Sequence, residues 1–230
     1  MSLAQSAFVE EPRVAAPGEP HLACVLLLDT SGSMNGAALD SLNQSINNFI
    51  QQTSMDEMAM KRVDVAIISF DDKPELVMPF TPISQMEPVN LTAGGLTAMG
   101  AGINMAIDQV KERNRFYASL GVPCFKPWIF MITDGSPTDD ITSAMQRIQE
   151  EESKGTHGKL KFFALGVGNY NKEILKKLTK RVMELSDTDF SGIFDWMSES
   201  MCAISVSRVG ENVQLGMLPE NARIVPDDWN

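Results

Sequence analysis

Short apolar runs alternate with longer amphipathic stretches along this chain, and no other feature restricts its fold as much. The runs are His21 to Leu28, Val63 to Phe70, Trp128 to Thr133, Leu160 to Val167 and Val182 to Leu185. Between the first two, Ala37 to Met55 places Leu39, Leu42, Ile46, Phe49 and Ile50 near helical spacing. Gly100 to Arg113, Ile141 to Glu151, Lys172 to Leu178 and Phe190 to Val206 also read as helices, with Thr138 or Asp139 as the expected N-cap before Ile141. This order predicts an α/β fold: an open, mostly parallel twisted sheet with helices on both faces. One antiparallel edge strand is expected, because Leu76 to Phe80 returns beside Val63 to Phe70 across the turn Asp71-Asp72-Lys73-Pro74.

With 230 residues, 43% of them apolar, the chain is long enough for one substantial core. We expect a flexible leader over 1–20, one domain over 21–207, and a C-terminal tail or edge segment over 208–230. A formal charge of -11 argues against nucleic acid and anionic membrane surfaces, which are bound through excess Lys and Arg. No apolar run approaches the roughly 18 residues of a membrane-spanning helix. Met1 to Pro20 lacks the basic start and apolar centre of a secretory signal, so a cytoplasmic location is expected. Cys24, Cys124 and Cys202 are odd in number and widely spaced in apolar contexts, as reduced core thiols would be. Met34 and Met99 read as core residues. His21 and His157 stand in no motif.

The first apolar run ends in Asp29-Thr30-Ser31-Gly32-Ser33-Met34. In an open parallel sheet, ligands bind where loops converge at the carboxyl ends of the strands. Asp29 stands at such an end, and Asp134-Gly135 stands at the end of Trp128 to Thr133. The loop "AGGLTAMGAG" brings Thr97 ahead of another helix. Asp29, Ser31, Ser33, Thr97 and Asp134 are two carboxylates and three hydroxyls, with no His or Cys among them. Such an all-oxygen set suits a hard cation such as Mg2+. The Asp-x-Ser-x-Ser spacing lets alternate side chains point one way, while Gly32 permits close backbone approach. Taken alone, Asp29 to Gly32 would also fit a capping turn. Thr97 and Asp134 in two further strand-end loops set the metal reading ahead of it. Asp139 and Asp140 read as a solvated helix start.

The motifs "DTSGS", the Thr of a Gly-rich loop and "TDG" together resemble the metal-ion-dependent adhesion site (MIDAS) of von Willebrand factor A domains, over roughly His21 to Ser207. "KPWIFMITDGSPTDD", "FFALGVGN" and "MELSDTDFSGIFDWMSESM" are similar to the bacterial tellurium-resistance-associated TerY type of stand-alone A domain. The resemblance implies Ser31 and Ser33 as direct ligands, and Thr97 as a ligand that binds directly or through water. It implies water-mediated contacts from Asp29 and Asp134. It also implies an open coordination position that accepts an Asp or Glu carboxylate from a partner protein, with Mg2+, Mn2+ or Ca2+ as the cation. The TerY likeness points toward a bacterial stress, tellurite-resistance or phosphorylation system. In many relatives Thr directly follows the glycine pair, whereas Leu96 intervenes here, which leaves Thr92 as the alternative to Thr97.

Three function classes compete. A binding module is expected in place of an enzyme. A Mg-dependent phosphatase or phosphotransferase using Asp29 as nucleophile is the chemical rival, but Ser31 stands two residues on where a second acid would assist proton transfer. A nucleotide-binding reading of Gly166-Val167-Gly168-Asn169-Tyr170-Asn171 lacks the third glycine.

Overall fold

The computed structural model describes residues 14–154 and 159–226; His157 and most of the expected leader lie outside them. Among the described residues seven strands form one sheet: β1 (Leu22–Asp29), β2 (Val63–Phe70), β3 (Pro74–Pro82), β4 (Trp128–Thr133), β5 (Lys161–Val167), β6 (Val182–Leu185) and β7 (Ala222–Ile224). Their order is β3-β2-β1-β4-β5-β6-β7. The five strands from β2 to β6 in that order run parallel. Both edges are antiparallel, β3 on β2 and β7 on β6, where one such edge was expected. The second edge comes from the C-terminal segment. Its strand of three residues is too short to show a period of two in the sequence.

The chain leaves β1 outward to β2 and β3, then returns to β4 on the other side of β1. The loops after β1 and β4 therefore leave neighbouring strands in opposite directions, and a crevice opens between them at the carboxyl edge.

The helices are α1 (Ala37–Met55), α2 (Ala59–Arg62), α3 (Met99–Ser119), α4 (Thr142–Ser153), α5 (Lys172–Leu178) and α6 (Ser191–Val206). Alternation along β1 separates two cores. Leu22, Cys24, Leu26 and Leu28 pack in the cluster that holds Leu42, Ile46 and Phe49 of α1 and Phe194 and Met201 of α6. Ala23, Val25 and Leu27 pack with Ile103 and Ile107 of α3, Ile148 of α4 and Leu175 of α5. Met34 and Met99 are fully buried, one in each core. All three cysteines are free, and burial pushes the Cys24 thiol far up. Among the described residues no helix is long and apolar enough to cross a membrane. The C-terminal segment returns over α6, where Trp196 Nε1 donates to the Gly216 carbonyl at 2.9 Å and Leu215 and Leu218 pack on the core.

At the amino edge of the sheet, His21 acquires a role that no motif announced. Its Nδ1 lies 2.8 Å from Asp64 Oδ2, and Arg113 Nη2 and the Tyr117 hydroxyl of α3 reach the same oxygen. All four residues are buried. Burial would push the Asp64 carboxyl up, but the hydrogen bond from His21 and the charge of Arg113 outweigh it and hold the group below its usual range. A carboxyl lowered on folding contributes stability above its unfolded value of about 3.9, and that contribution disappears as pH falls through the folded value. Urea midpoints should therefore fall steeply on acidification below about pH 4. Asp64→Asn should flatten that limb; an identical acid limb in the variant would contradict the assignment.

Candidate metal centre

β1 delivers Asp29 to the crevice with its side chain fully buried. Asp29 Oδ1 accepts the Ser31 backbone N–H at 2.9 Å, which curls the chain into the next turn. Asp29 Oδ2 accepts the Thr133 hydroxyl at 2.6 Å, which ties the end of β1 to the end of β4. Burial raises the Asp29 carboxyl and the nearby charge of Asp134 adds to the effect, while the bonds from Ser31 and Thr133 pull only partly the other way. A cation beside Asp29 would favour its ionised form.

Ser31 Oγ lies 3.1 Å from Ser33 Oγ, and Ser33 Oγ donates to Asp134 Oδ1 at 2.7 Å. The turn is stapled to the Gly-rich loop, because Gly32 N donates to the Gly95 carbonyl at 3.2 Å and Gly94 N to the Thr30 carbonyl at 2.8 Å.

Thr97 is buried, and its Oγ1 lies 3.6 Å from where a Cβ on Gly135 would stand. Its loop is bolted to the one after β4 in both directions. Thr97 N donates to Thr138 Oγ1 at 3.2 Å, and Thr138 N donates to the Thr97 carbonyl at 2.9 Å. The β2–β3 turn holds the other side: Asp72 Oδ1 accepts Leu96 N at 2.9 Å, and Ala98 N donates to the Asp71 carbonyl at 2.7 Å. Gly95 has φ of 69°, and a Cβ there would stand 2.8 Å from Asp72 Cγ, so glycine is required twice over. Thr92 is exposed, in the preceding segment. That segment is clasped by α1: Asn43 and Asn47, one turn apart, each donate to and accept from the backbone of Leu91 and Val89.

Two expectations for the loop after β4 are corrected. Neither Thr138 nor Asp139 caps α4, whose N-cap position is Ile141 with no side-chain bond. Thr138 serves the Thr97 loop, and Asp139 caps α3 by accepting Gly100 N at 3.0 Å and Ala101 N at 2.8 Å. It is Asp140 that accepts Thr142 N, at 2.9 Å, in the first turn of α4. Asp72, Thr133, Thr138, Asp139, Asn43 and Asn47 thus position the site, and the sequence reading missed that role for all six.

The five sequence candidates come to one place: Asp29, Ser31, Ser33 and Asp134 form one chain of hydrogen bonds, and Thr97 borders Gly135. Among the described residues no group of three or more His, Cys, Asp or Glu side chains is arranged to hold a metal. The donors gathered here are hydroxyls with only two carboxylates, all oxygen, and that chemistry fits a hard cation.

A family model of the von Willebrand factor type A domain matches residues 24–195, from within β1 to within α6. The chain belongs to that family. The A domain is 26% identical over 162 residues to the human voltage-dependent calcium channel subunit alpha-2/delta-2, a match covering 65% of this chain and 12% of that subunit. The chain thus spans a small part of that relative's length. Proximal thread matrix protein 1 from the mussel byssus, solved with a zinc-occupied MIDAS motif, matches at a TM-score of 0.58 and 17% identity, over 82% of this chain and 47% of that chain. The pilus adhesin SpaC from Lactobacillus rhamnosus GG matches at a TM-score of 0.64 and 14% identity, over 84% of this chain and 31% of that chain. At these identities the two structures show the A-domain fold.

Proposed function

We propose that this A domain is a divalent-metal-dependent protein-binding module whose cation completes its coordination with a partner's Asp or Glu. The observation that carries the reading is the linked set Asp29, Ser31, Ser33 and Asp134, with Thr97 beside it, at the carboxyl edge where β1 and β4 diverge. Ser31 and Ser33 are assigned as direct ligands, Thr97 as a direct or water-mediated one, and Asp29 and Asp134 as outer carboxylates. Mg2+ is the assigned ion, with Mn2+ and Ca2+ as substitutes. When bound, the cation supplies a positive centre open to an anionic oxygen from outside; two carboxylates held back from it leave much of that charge uncompensated. The mussel protein's zinc-occupied MIDAS motif supports a metal at this place in the fold.

Binding is preferred over catalysis because Asp29 is buried with both oxygens in hydrogen bonds, a poor posture for a nucleophile. Phosphate esters should not turn over above background with or without Mg2+. The TerY-like motifs support a cytoplasmic bacterial setting, with the partner drawn from a stress or tellurite-resistance system linked to phosphorylation. The division into a leader over 1–20, an A domain over 21–207 and a C-terminal tail or edge segment over 208–230 is part of this proposal, and the family match over 24–195 falls within the middle part.

Thr97→Val tests the reading at low cost to the fold, since it keeps shape and deletes one hydroxyl. Calorimetric titration should show Mg2+ affinity several-fold weaker, with the metal-free melting temperature little changed. Equal Mg2+ affinity in variant and parent would remove Thr97 from the ligand set.

A further inference from the structure

The amino edge of the sheet, opposite the candidate metal centre, carries a group of cations that the proposed function does not use. Lys126 precedes β4, Lys161 opens β5 and Arg181 precedes β6, so three neighbouring strands bring them together. Trp128 and Lys161 are partners in the β4–β5 register, and Lys161 Nζ lies 5.7 Å from the centre of the Trp128 ring. Arg181 Cζ lies 5.9 Å from the centre of the Phe163 ring, which packs against Trp128 at 4.8 Å between centroids. Both rings are buried, and they give the two cations one rigid apolar floor.

Glu152 is the carboxylate paired with this group, and it is already engaged: its Oε1 accepts Arg181 Nη1 at 2.5 Å and Phe162 N at 2.9 Å. Lys126 and Lys161 are half-buried, and among the described residues neither ammonium has a carboxylate within ion-pair distance. Other cations of this chain are paired, Arg62 with Glu19, Arg147 with Asp108 and Arg223 with Glu184. In a chain with 30 acids against 19 Lys and Arg, three cations around one acid invert the overall balance. Burial and the charge of Arg181 push both ammonium groups down, and Lys126 adds to the effect on Lys161. Like charges held together half out of water cost free energy that an anion between them would offset.

We propose that Lys126, Lys161 and Arg181 bind a phosphate group bearing two negative charges, as inorganic phosphate or as a monoester. Three cations less Glu152 leave a formal surplus of two, which a phosphate dianion matches and a single carboxylate does not. The Arg181 guanidinium keeps donors beyond the Nη1 that Glu152 holds, and the two lysines act as point charges. A long polyanion such as nucleic acid is disfavoured by the net charge of -11, which repels everything beyond the bound group. The site stands at the other end of the strands from the metal centre and requires no divalent ion.

Thermal melts and NMR titrations of the intact chain, in chelator and at constant ionic strength, test this with inorganic phosphate, N-acetyl-phosphoserine amide and its unphosphorylated form. Both phosphates should raise the melting temperature and shift the backbone amides of Lys126, Lys161 and Arg181, and the unphosphorylated serine should do neither. Tighter binding of the phosphoserine would identify a monoester as the source, and tighter binding of inorganic phosphate the free ion. Lys126→Gln and Lys161→Gln should each weaken phosphate about tenfold, the effect of losing one charge-assisted hydrogen bond, whereas Lys73→Gln in the β2–β3 turn should leave it unchanged. Without phosphate, Lys126→Gln should melt no lower than the parent, because it removes a repelled charge, so its lost binding would not come from a damaged fold. No binding of either phosphate, equal affinity in the parent and both variants, or amide shifts spread away from this edge would overturn the proposal.

Discussion

Asp29→Ala should abolish the stabilisation that Mg2+ gives the intact A domain. A ligand bound only by the folded state stabilises it by about 2.7 kcal/mol at a hundredfold excess over its Kd. In a domain of this size that corresponds to a rise of about 5–10 °C in melting temperature. Alanine removes the acceptor of both the Ser31 N–H and the Thr133 hydroxyl, so the metal-free variant should also lose about 1–3 kcal/mol, the cost of leaving buried donors unpaired. Relief from burying a carboxyl whose ionisation is already disfavoured offsets part of that loss. Asp29→Asn separates the two effects, because it keeps an acceptor for Ser31 and deletes the charge. Thermal melts of the three proteins with and without excess Mg2+ make the comparison. An undiminished Mg2+ shift in Asp29→Ala would place the cation elsewhere.

Gly100→Ala should damage the site from outside the ligand set. Alanine normally favours a helix over glycine by about 1 kcal/mol. Here the added Cβ would stand 2.6 Å from the Asp140 carbonyl oxygen and 3.1 Å from Asp139 Oδ2. The first neighbour is backbone and cannot swing aside, so overpacking at about 1–3 kcal/mol cancels or exceeds the helical gain. The relaxation open to the chain moves the Asp139-Asp140 loop away from α3 and takes Thr138 with it, which separates Thr97 from Asp134. Mg2+ affinity is expected to fall by at least about tenfold, the effect of moving one ligand loop out of register. Urea unfolding and Mg2+ titration of the variant check both parts. A more stable protein with unchanged Mg2+ affinity would show that the two loops are not coupled through this contact.

The parallel strands were legible because each is an apolar run buried on both faces, and the candidate site because Asp29, Ser31 and Ser33 share one short spacing at the end of β1 while Asp134 follows β4. Asp139 was misread for a physical reason. An acid just before a helix normally caps that helix, yet this one reaches Gly100 and Ala101 of a helix 39 residues earlier, a contact only the packed fold creates. Thr133 was hidden inside an apolar run, where its hydroxyl reads as one more β-branched residue. Asn43 and Asn47 look like the polar face of α1; their work is to satisfy the backbone of a segment with no strand partner. Asp72 read as turn chemistry, and His21 had no motif because its partner Asp64 lies 43 residues away on the neighbouring strand.

Mn2+ is the direct probe of the central claim, since it substitutes for Mg2+ and can be located by anomalous scattering in crystals of the intact chain. The expected result is one strong site among Asp29, Ser31, Ser33, Thr97 and Asp134, with metal–oxygen distances to the two serine hydroxyls near about 2.1 Å and an exposed position filled by water or a carboxylate. Saturating Mn2+ that leaves these five residues without a scattering peak, or that binds at another cluster, would contradict it.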